Sequence, residues 1–101
     1  MFGRSRYSSV IDAQLDLFIR EHRVVIEEVA ERLAVYDRSD RSDAEELFGA
    51  YLDAVETGTE ILADMRDHYG VSLEDPAEYV SAFNRAVAKR LPAFGLEIEN
   101  R

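Results

Sequence analysis

Two long stretches of the sequence carry apolar side chains at alternating steps of three and four residues, the spacing of one face of an α-helix. The first stretch covers residues 9–36 and the second covers residues 43–69. The first stripe is Ile11, Leu15, Phe18, His22, Val25, Val29 and Tyr36; the second is Phe48, Tyr51, Val55, Gly58, Leu62, Met65 and Tyr69. This periodicity predicts an all-α protein with two long helices. A glycine within the second stripe, Gly58, predicts a close approach of a neighbouring segment.

The sequence DRSDRSDAEE, residues 37–46, joins the two long helices. Residues 37–41 are polar on every side and form a short turn. Ser42 is followed three residues later by Glu45, which is the pattern of a capping box and predicts that Ser42 is the N-cap of the second helix. A connection this short requires the two helices to lie antiparallel, so the sequence predicts a long antiparallel helical hairpin.

A shorter third helix is predicted from Pro76 to Leu91, where Pro92 ends it. At about 1.5 Å per residue, the long helices span roughly 40 Å and the third spans roughly 24 Å. The third helix can therefore cover only about half of the apolar face of the hairpin. The remaining face predicts a homodimer in which two hairpins form a helical bundle.

The chain of 101 residues has the size of one domain. We divide it into an N-terminal arm (residues 1–8), a three-helix domain (9–91) and a C-terminal tail (92–101). In the tail, Phe94, Leu96 and Ile98 alternate with polar residues or glycine. This pattern favours either an extended segment or a loose tail folded over the end of the bundle.

Composition narrows the function classes. The absence of cysteine excludes disulfides, thiol catalysis and cysteine zinc sites. No apolar run has the length of a membrane span or of a signal-peptide core, so a cytoplasmic location without membrane contact is expected. The net charge of −9 argues against nucleic acid as a partner.

The charge is unevenly distributed along the chain. Residues 42–70 carry eight acidic side chains and one arginine, whereas residues 79–95 carry only basic charges. The basic end of the third helix and the apolar tail are therefore candidates for binding a protein partner. These candidates are Arg85, Lys89, Arg90, Phe94, Leu96 and Ile98. The alternative interpretation of the basic residues is a solvated face that complements the helix dipole.

One set of residues has the spacing of a metal site. Glu60, Asp64 and His68 follow at i, i+4 and i+8, and carboxylate and imidazole groups so spaced can bind one divalent ion. His22, on the first apolar stripe, could join them if the fold brings it near. The alternatives are an exposed acidic flank for the first three and a packed histidine for His22.

The sequence contains no phosphate-binding glycine loop, nucleophile elbow or calcium loop, and no cofactor is predicted. We therefore expect a non-enzymatic module for protein–protein interaction or assembly. Two alternatives stay open. The first is a divalent-metal-binding helical bundle, and the second is an acidic, antitoxin-like or decoy partner of a basic protein.

Overall fold

The computed structural model describes residues 6–101; residues 1–5, which belong to the predicted N-terminal arm, lie outside this range. Residues 6–101 form five α-helices and one short 3-10 turn, and no strand occurs among them, which confirms the all-α prediction. The helices are α1 (Ser8–Glu21), α2 (Arg23–Asp37), α3 (Arg41–Gly70), α4 (Ala77–Arg90) and α5 (Gly95–Glu99), and the 3-10 turn is Pro92–Phe94. None of these helices combines the length and the hydropathy needed to cross a membrane.

The first long helix of the prediction is two helices. His22 interrupts it with φ −123° and ψ 35°, although its N–H still donates to Phe18 O at 2.8 Å and its carbonyl accepts from Ile26 N at 3.2 Å. The two halves of the apolar stripe therefore pack on different helices: α1 packs on α4, whereas α2 packs on α3. The stripe itself continues through His22 without a change of step, so its periodicity did not reveal the break.

The N-cap of α3 is Asp40, two residues earlier than the predicted Ser42. The carboxylate of Asp40 accepts hydrogen bonds from Asp43 N at 3.3 Å and from Ser42 Oγ at 2.8 Å. These two donors stabilise the charged form and lower the pKa of Asp40 below its ordinary value. Ser42 lies within the first turn and supports the cap instead of forming it, so the prediction for Ser42 is wrong.

The C-terminal segment is part of the core, which corrects the predictions of an extended strand or a loose tail. Phe94 is 1% exposed and Ile98 is fully buried, whereas Leu96 is 86% exposed. Residues 94 and 98 are four apart and share a helical face, and Leu96 lies about 200° away from Phe94. The alternation of apolar residues therefore belongs to a short helix with one buried side. The core also takes side chains from α1 to α4; its largest fully buried members are Tyr79, Phe18, Phe83, Phe94, Leu15 and Leu62.

Two contacts fix this segment against α3. The Phe94 ring lies against Gly58, where an added Cβ would be 2.8 Å from Phe94 Cζ. The guanidinium of Arg66, only 3% exposed, donates to Asn84 Oδ1 at 3.0 Å, to Ile98 O at 3.1 Å and to Arg101 O at 3.0 Å. Its Nε pairs with Asp67 at 2.8 Å. The buried cation therefore has its hydrogen-bonding groups satisfied and caps the end of α5.

The molecule is elongated. The radius of gyration is 15.2 Å and the principal extents are 50 × 25 × 21 Å, against roughly 13 Å expected for a compact chain of this length. Residues 30–53, the distal part of α2 and α3 around their connection, include no buried residue. This distal part therefore extends beyond the region where α1, α4 and the C-terminal segment form the core.

Candidate interaction surface

The apolar stripe of α3 runs from the core onto open surface. Its members Val55 and Leu62 are 3% and 0% exposed, and Gly58 between them is also buried. Toward the N-terminus, at the same helical spacing, Leu52 is 43% and Phe48 is 40% exposed. The buried residues of α3 begin at Ala54, because α4 and the C-terminal segment cover only the later part of the helix. The same stripe is thus core at one end and uncovered at the other.

α2 contributes a second row of apolar residues. Leu33 is 38% exposed and lies seven residues after the partly buried Ile26, on the same side of the helix. We call Leu33, Phe48 and Leu52 the α2–α3 face. These three residues are the large apolar side chains that residues 30–53 leave exposed.

Aromatic contacts and one arginine hold the two helices together beneath this face. The Phe48 ring lies 5.1 Å from the Tyr36 ring and 5.8 Å from the Tyr51 ring, centroid to centroid. Arg32 crosses from α2 to donate to Ala50 O at 2.7 Å, and it also pairs with Glu28 at 2.5 Å. The α2–α3 face therefore has a fixed support, since its central ring, Phe48, is packed against both helices.

The surroundings of the α2–α3 face are acidic. Residues 23–53 contain nine acidic and four basic side chains. Two of the acids share the helical stripes of the face: Asp37 follows Leu33 by four residues, and Glu45 precedes Phe48 by three. Both are exposed. A ligand on this face would meet apolar side chains at its centre and carboxylates at its border.

The structure does not assemble the predicted metal ligands. Glu60, Asp64 and His68 are exposed along α3, and His22 is half-buried with its ring 5.4 Å from that of Phe18. Within residues 6–101, no group of three histidine, cysteine, aspartate or glutamate side chains is arranged to hold a metal ion. His22 is placed as a packing residue at the break between α1 and α2.

The predicted partner-binding residues separate into three groups. Phe94 and Ile98 are core residues, so the structure removes them from the candidate surface. Arg90 pairs with Asp16 at 2.7 Å and Arg85 donates to Ser81 Oγ at 2.8 Å, so both have intramolecular partners. Lys89 and Leu96 stay exposed.

The buried polar groups of the core have hydrogen-bond partners. Tyr79, fully buried, donates its hydroxyl to Gln14 Oε1 at 3.0 Å. Burial raises the pKa of Tyr79 above its ordinary value, so the phenol keeps its proton and its hydrogen bond near neutral pH. Among residues 6–101, no buried side-chain nitrogen or oxygen is left without a hydrogen-bond partner.

The residues of the α2–α3 face were not identified as binding residues by the sequence, although the relevant signal was present. The short third helix predicted an open apolar face, and Phe48, Leu52 and Leu33 lie on or beside the stripes that define it. Which part stays open depends on where α4 and the C-terminal segment end along α3, and the pattern did not show it. Comparison of the chain with protein-family models, with curated proteins and with solved structures finds no match.

Proposed function

We propose that this chain is a non-enzymatic assembly module that forms a homodimer through the α2–α3 face. In this proposal α2 and α3 form an antiparallel hairpin, and a second copy covers the part of the hairpin that lies beyond the core. The observation that carries it is the α3 stripe, which is buried at Val55 and exposed at Leu52 and Phe48. Because the apolar spacing continues beyond the buried part of the helix, it favours a partner that covers the exposed apolar residues.

The antiparallel arrangement makes one contiguous face out of two rows. The proposal places Leu33 on the same rotational side of the contact between α2 and α3 as Phe48 and Leu52. Because the two helices run in opposite directions, these rows then point to the same side of the pair. In a two-fold dimer the same face of each copy contacts the other, so the aromatic and the two aliphatic side chains would pack against the same set in the second copy.

The available area sets the expected strength of the dimer. The distal part is about 20 Å long at 1.5 Å per residue, and a pair of packed helices is about 20 Å wide. Two such faces bury on the order of 1,000 Å², the lower end of specific interfaces. We therefore expect a reversible dimer with a dissociation constant on the order of micromolar.

A second candidate function follows from the acidic border of the face. Nine acidic against four basic side chains in residues 23–53 would suit a basic protein as partner, in the manner of an acidic decoy. The same surface would bind it, with the apolar residues at the centre. The two candidates differ in how binding responds to salt.

Sedimentation equilibrium tests the homodimer, with the wild-type chain measured from about 1 to about 200 µM, a range that brackets micromolar affinity. Leu52→Lys places a charge on the α2–α3 face and should leave the chain monomeric throughout. The matched control is Val24→Lys, which replaces another exposed apolar residue, 75% exposed, on a different side of α2 from Ile26 and Leu33.

Circular dichroism of both variants confirms that each retains its helices. A control that dimerises like the wild type supports the face as the interface. A wild-type chain that stays monomeric over the whole range, or two variants that dimerise alike, would refute the proposal.

A further inference from the structure

We propose that the homodimer responds to ionic strength, because Asp37 and Glu45 bring like charges together when two α2–α3 faces meet. This inference rests on the proposed homodimer and adds a regulatory property to it. Low salt should favour the monomer and high salt the dimer.

The placement of the two carboxylates follows from helical spacing. Asp37 lies one helical turn beyond Leu33, and Glu45 lies one turn before Phe48, so each continues a row of the face toward the connection between α2 and α3. Neither forms a salt bridge with another residue of the described part of the chain. Arg41 lies four residues before Glu45 and Arg38 follows Asp37 directly, but neither arginine forms an ion pair with these carboxylates. Both carboxylates therefore enter the dimer without an ion-pair partner of their own.

At the end of the face nearer the core, the acidic side chain has an ion-pair partner. Glu56, four residues after Leu52, pairs with Arg101 at 3.6 Å. The uncompensated repulsion is thus concentrated near the connection, at the pair Asp37 and Glu45. With a face about 20 Å across, these charges lie within the Debye length of roughly 30 Å at 0.01 M salt and beyond the roughly 3 Å at 1 M.

The sign of the salt effect separates the two possible occupants. A second copy brings acidic borders together, so screening tightens the complex. A basic partner is attracted to the same border, so screening weakens the complex. The apolar centre contributes to both complexes and does not by itself reverse either trend at moderate sodium chloride concentrations.

Sedimentation equilibrium of the full chain at about 20 mM and about 500 mM sodium chloride tests the inference, since these concentrations span the change in Debye length. We expect the wild-type dimer to tighten about tenfold. The double variant Asp37→Asn/Glu45→Gln should be tight already at low salt and nearly independent of salt.

A second double variant, Glu31→Gln/Glu46→Gln, removes the same charge elsewhere on the helices. Glu31 and Glu46 each lie two residues, about 200° around the helix, from Leu33 and Phe48. This variant should keep most of the wild-type salt response, which separates the border of the face from net charge and from salting-out.

The possible outcomes test the salt response and the homodimer separately. A dimer that ignores or weakens with salt, or two double variants that behave alike, overturns the salt response and leaves the homodimer standing. A chain that is monomeric at both salt concentrations overturns the homodimer itself, and with it this inference. Titration with polylysine then reports whether a basic ligand binds the monomer and is released by salt.

Discussion

Gly58 and Gly49 belong to the same helix and meet opposite surroundings. A Cβ at Gly58 would be 2.8 Å from Phe94 Cζ, whereas nothing lies within 4 Å of a Cβ at Gly49. Replacing a helical glycine with alanine gains about 1 kcal/mol of helix propensity. Overpacking a buried ring costs about 1–3 kcal/mol. The same substitution should therefore have opposite effects at the two positions.

We predict that Gly49→Ala raises the free energy of unfolding by up to about 1 kcal/mol. Gly58→Ala should lower it by up to about 2 kcal/mol after its propensity gain is subtracted. Urea titration of both variants measures the two changes. Adding Phe94→Leu to Gly58→Ala should restore part of the loss if the ring is the cause. Two alanine variants that are equally stabilised would show that the Phe94 ring yields without strain.

At the N-terminus of α3, stability should depend on Asp40 more than on Ser42. The Asp40 carboxylate accepts both hydrogen bonds of the cap, so Asp40→Ala removes the acceptor and Ser42→Ala removes one donor. We expect the larger fall in melting temperature for Asp40→Ala at neutral pH. Equal falls would contradict this assignment of the cap.

The lowered pKa of Asp40 gives this cap a pH dependence of known sign. In the unfolded chain the group titrates near its ordinary value of 3.8, and in the folded chain it titrates below that value. Its contribution is therefore complete above the unfolded pKa and is lost as the pH falls through the folded pKa. The stability difference between the wild type and Asp40→Asn should shrink over this acid range, as thermal melts at decreasing pH would record.

At the scale of the elements, the sequence predicted helix type far better than helix partners. The apolar stripes located α3 and α4 within a few residues, because long periodic runs report burial directly. They could not show that α1 and α2 separate at His22, since a break that preserves the step leaves no trace in the pattern. They also misassigned residues 94–98, where three apolar residues fit a strand and a short helix equally well. The burial of Phe94 and Ile98, with Leu96 exposed, shows that the segment is helical.

The C-terminal segment provides the clearest contrast between neighbouring positions. Phe94→Ala removes a ring that is 1% exposed and should lower the free energy of unfolding by about 3–5 kcal/mol. Leu96→Ala removes a side chain that is 86% exposed and should change it by less than about 0.5 kcal/mol. Chemical denaturation of both variants tests this, and similar losses would mean that the segment does not sit in the core.

At the scale of the whole molecule, the length of α3 explains the shape. This helix has 30 residues whereas α4 has 14, so α4 and the C-terminal segment leave part of α3 open, and residues 30–53 include no buried residue. The sequence analysis placed the acidic bias in residues 42–70, which share only residues 42–53 with this region. It could not identify Leu33, Phe48 and Leu52 as the open residues, because that depends on where α4 and the C-terminal segment end along α3. Those contacts join residues far apart in the chain, such as Arg66 with Ile98, and no local pattern encodes them.

The same long-range closure bears on how the chain folds while it is being synthesised. Ile11 and Leu15 of α1 share one core with Phe94 and Ile98. The Phe94 ring packs against Gly58 of α3, and this contact cannot form before Phe94 has been synthesised. A nascent chain can form helices α1, α2 and α3 as they leave the ribosome, but its core cannot close before residue 98 has emerged. Until Phe94 and Ile98 join the core, the apolar faces of α1 and α3 lack part of their cover, and incompletely folded chains that expose apolar surface are prone to aggregate.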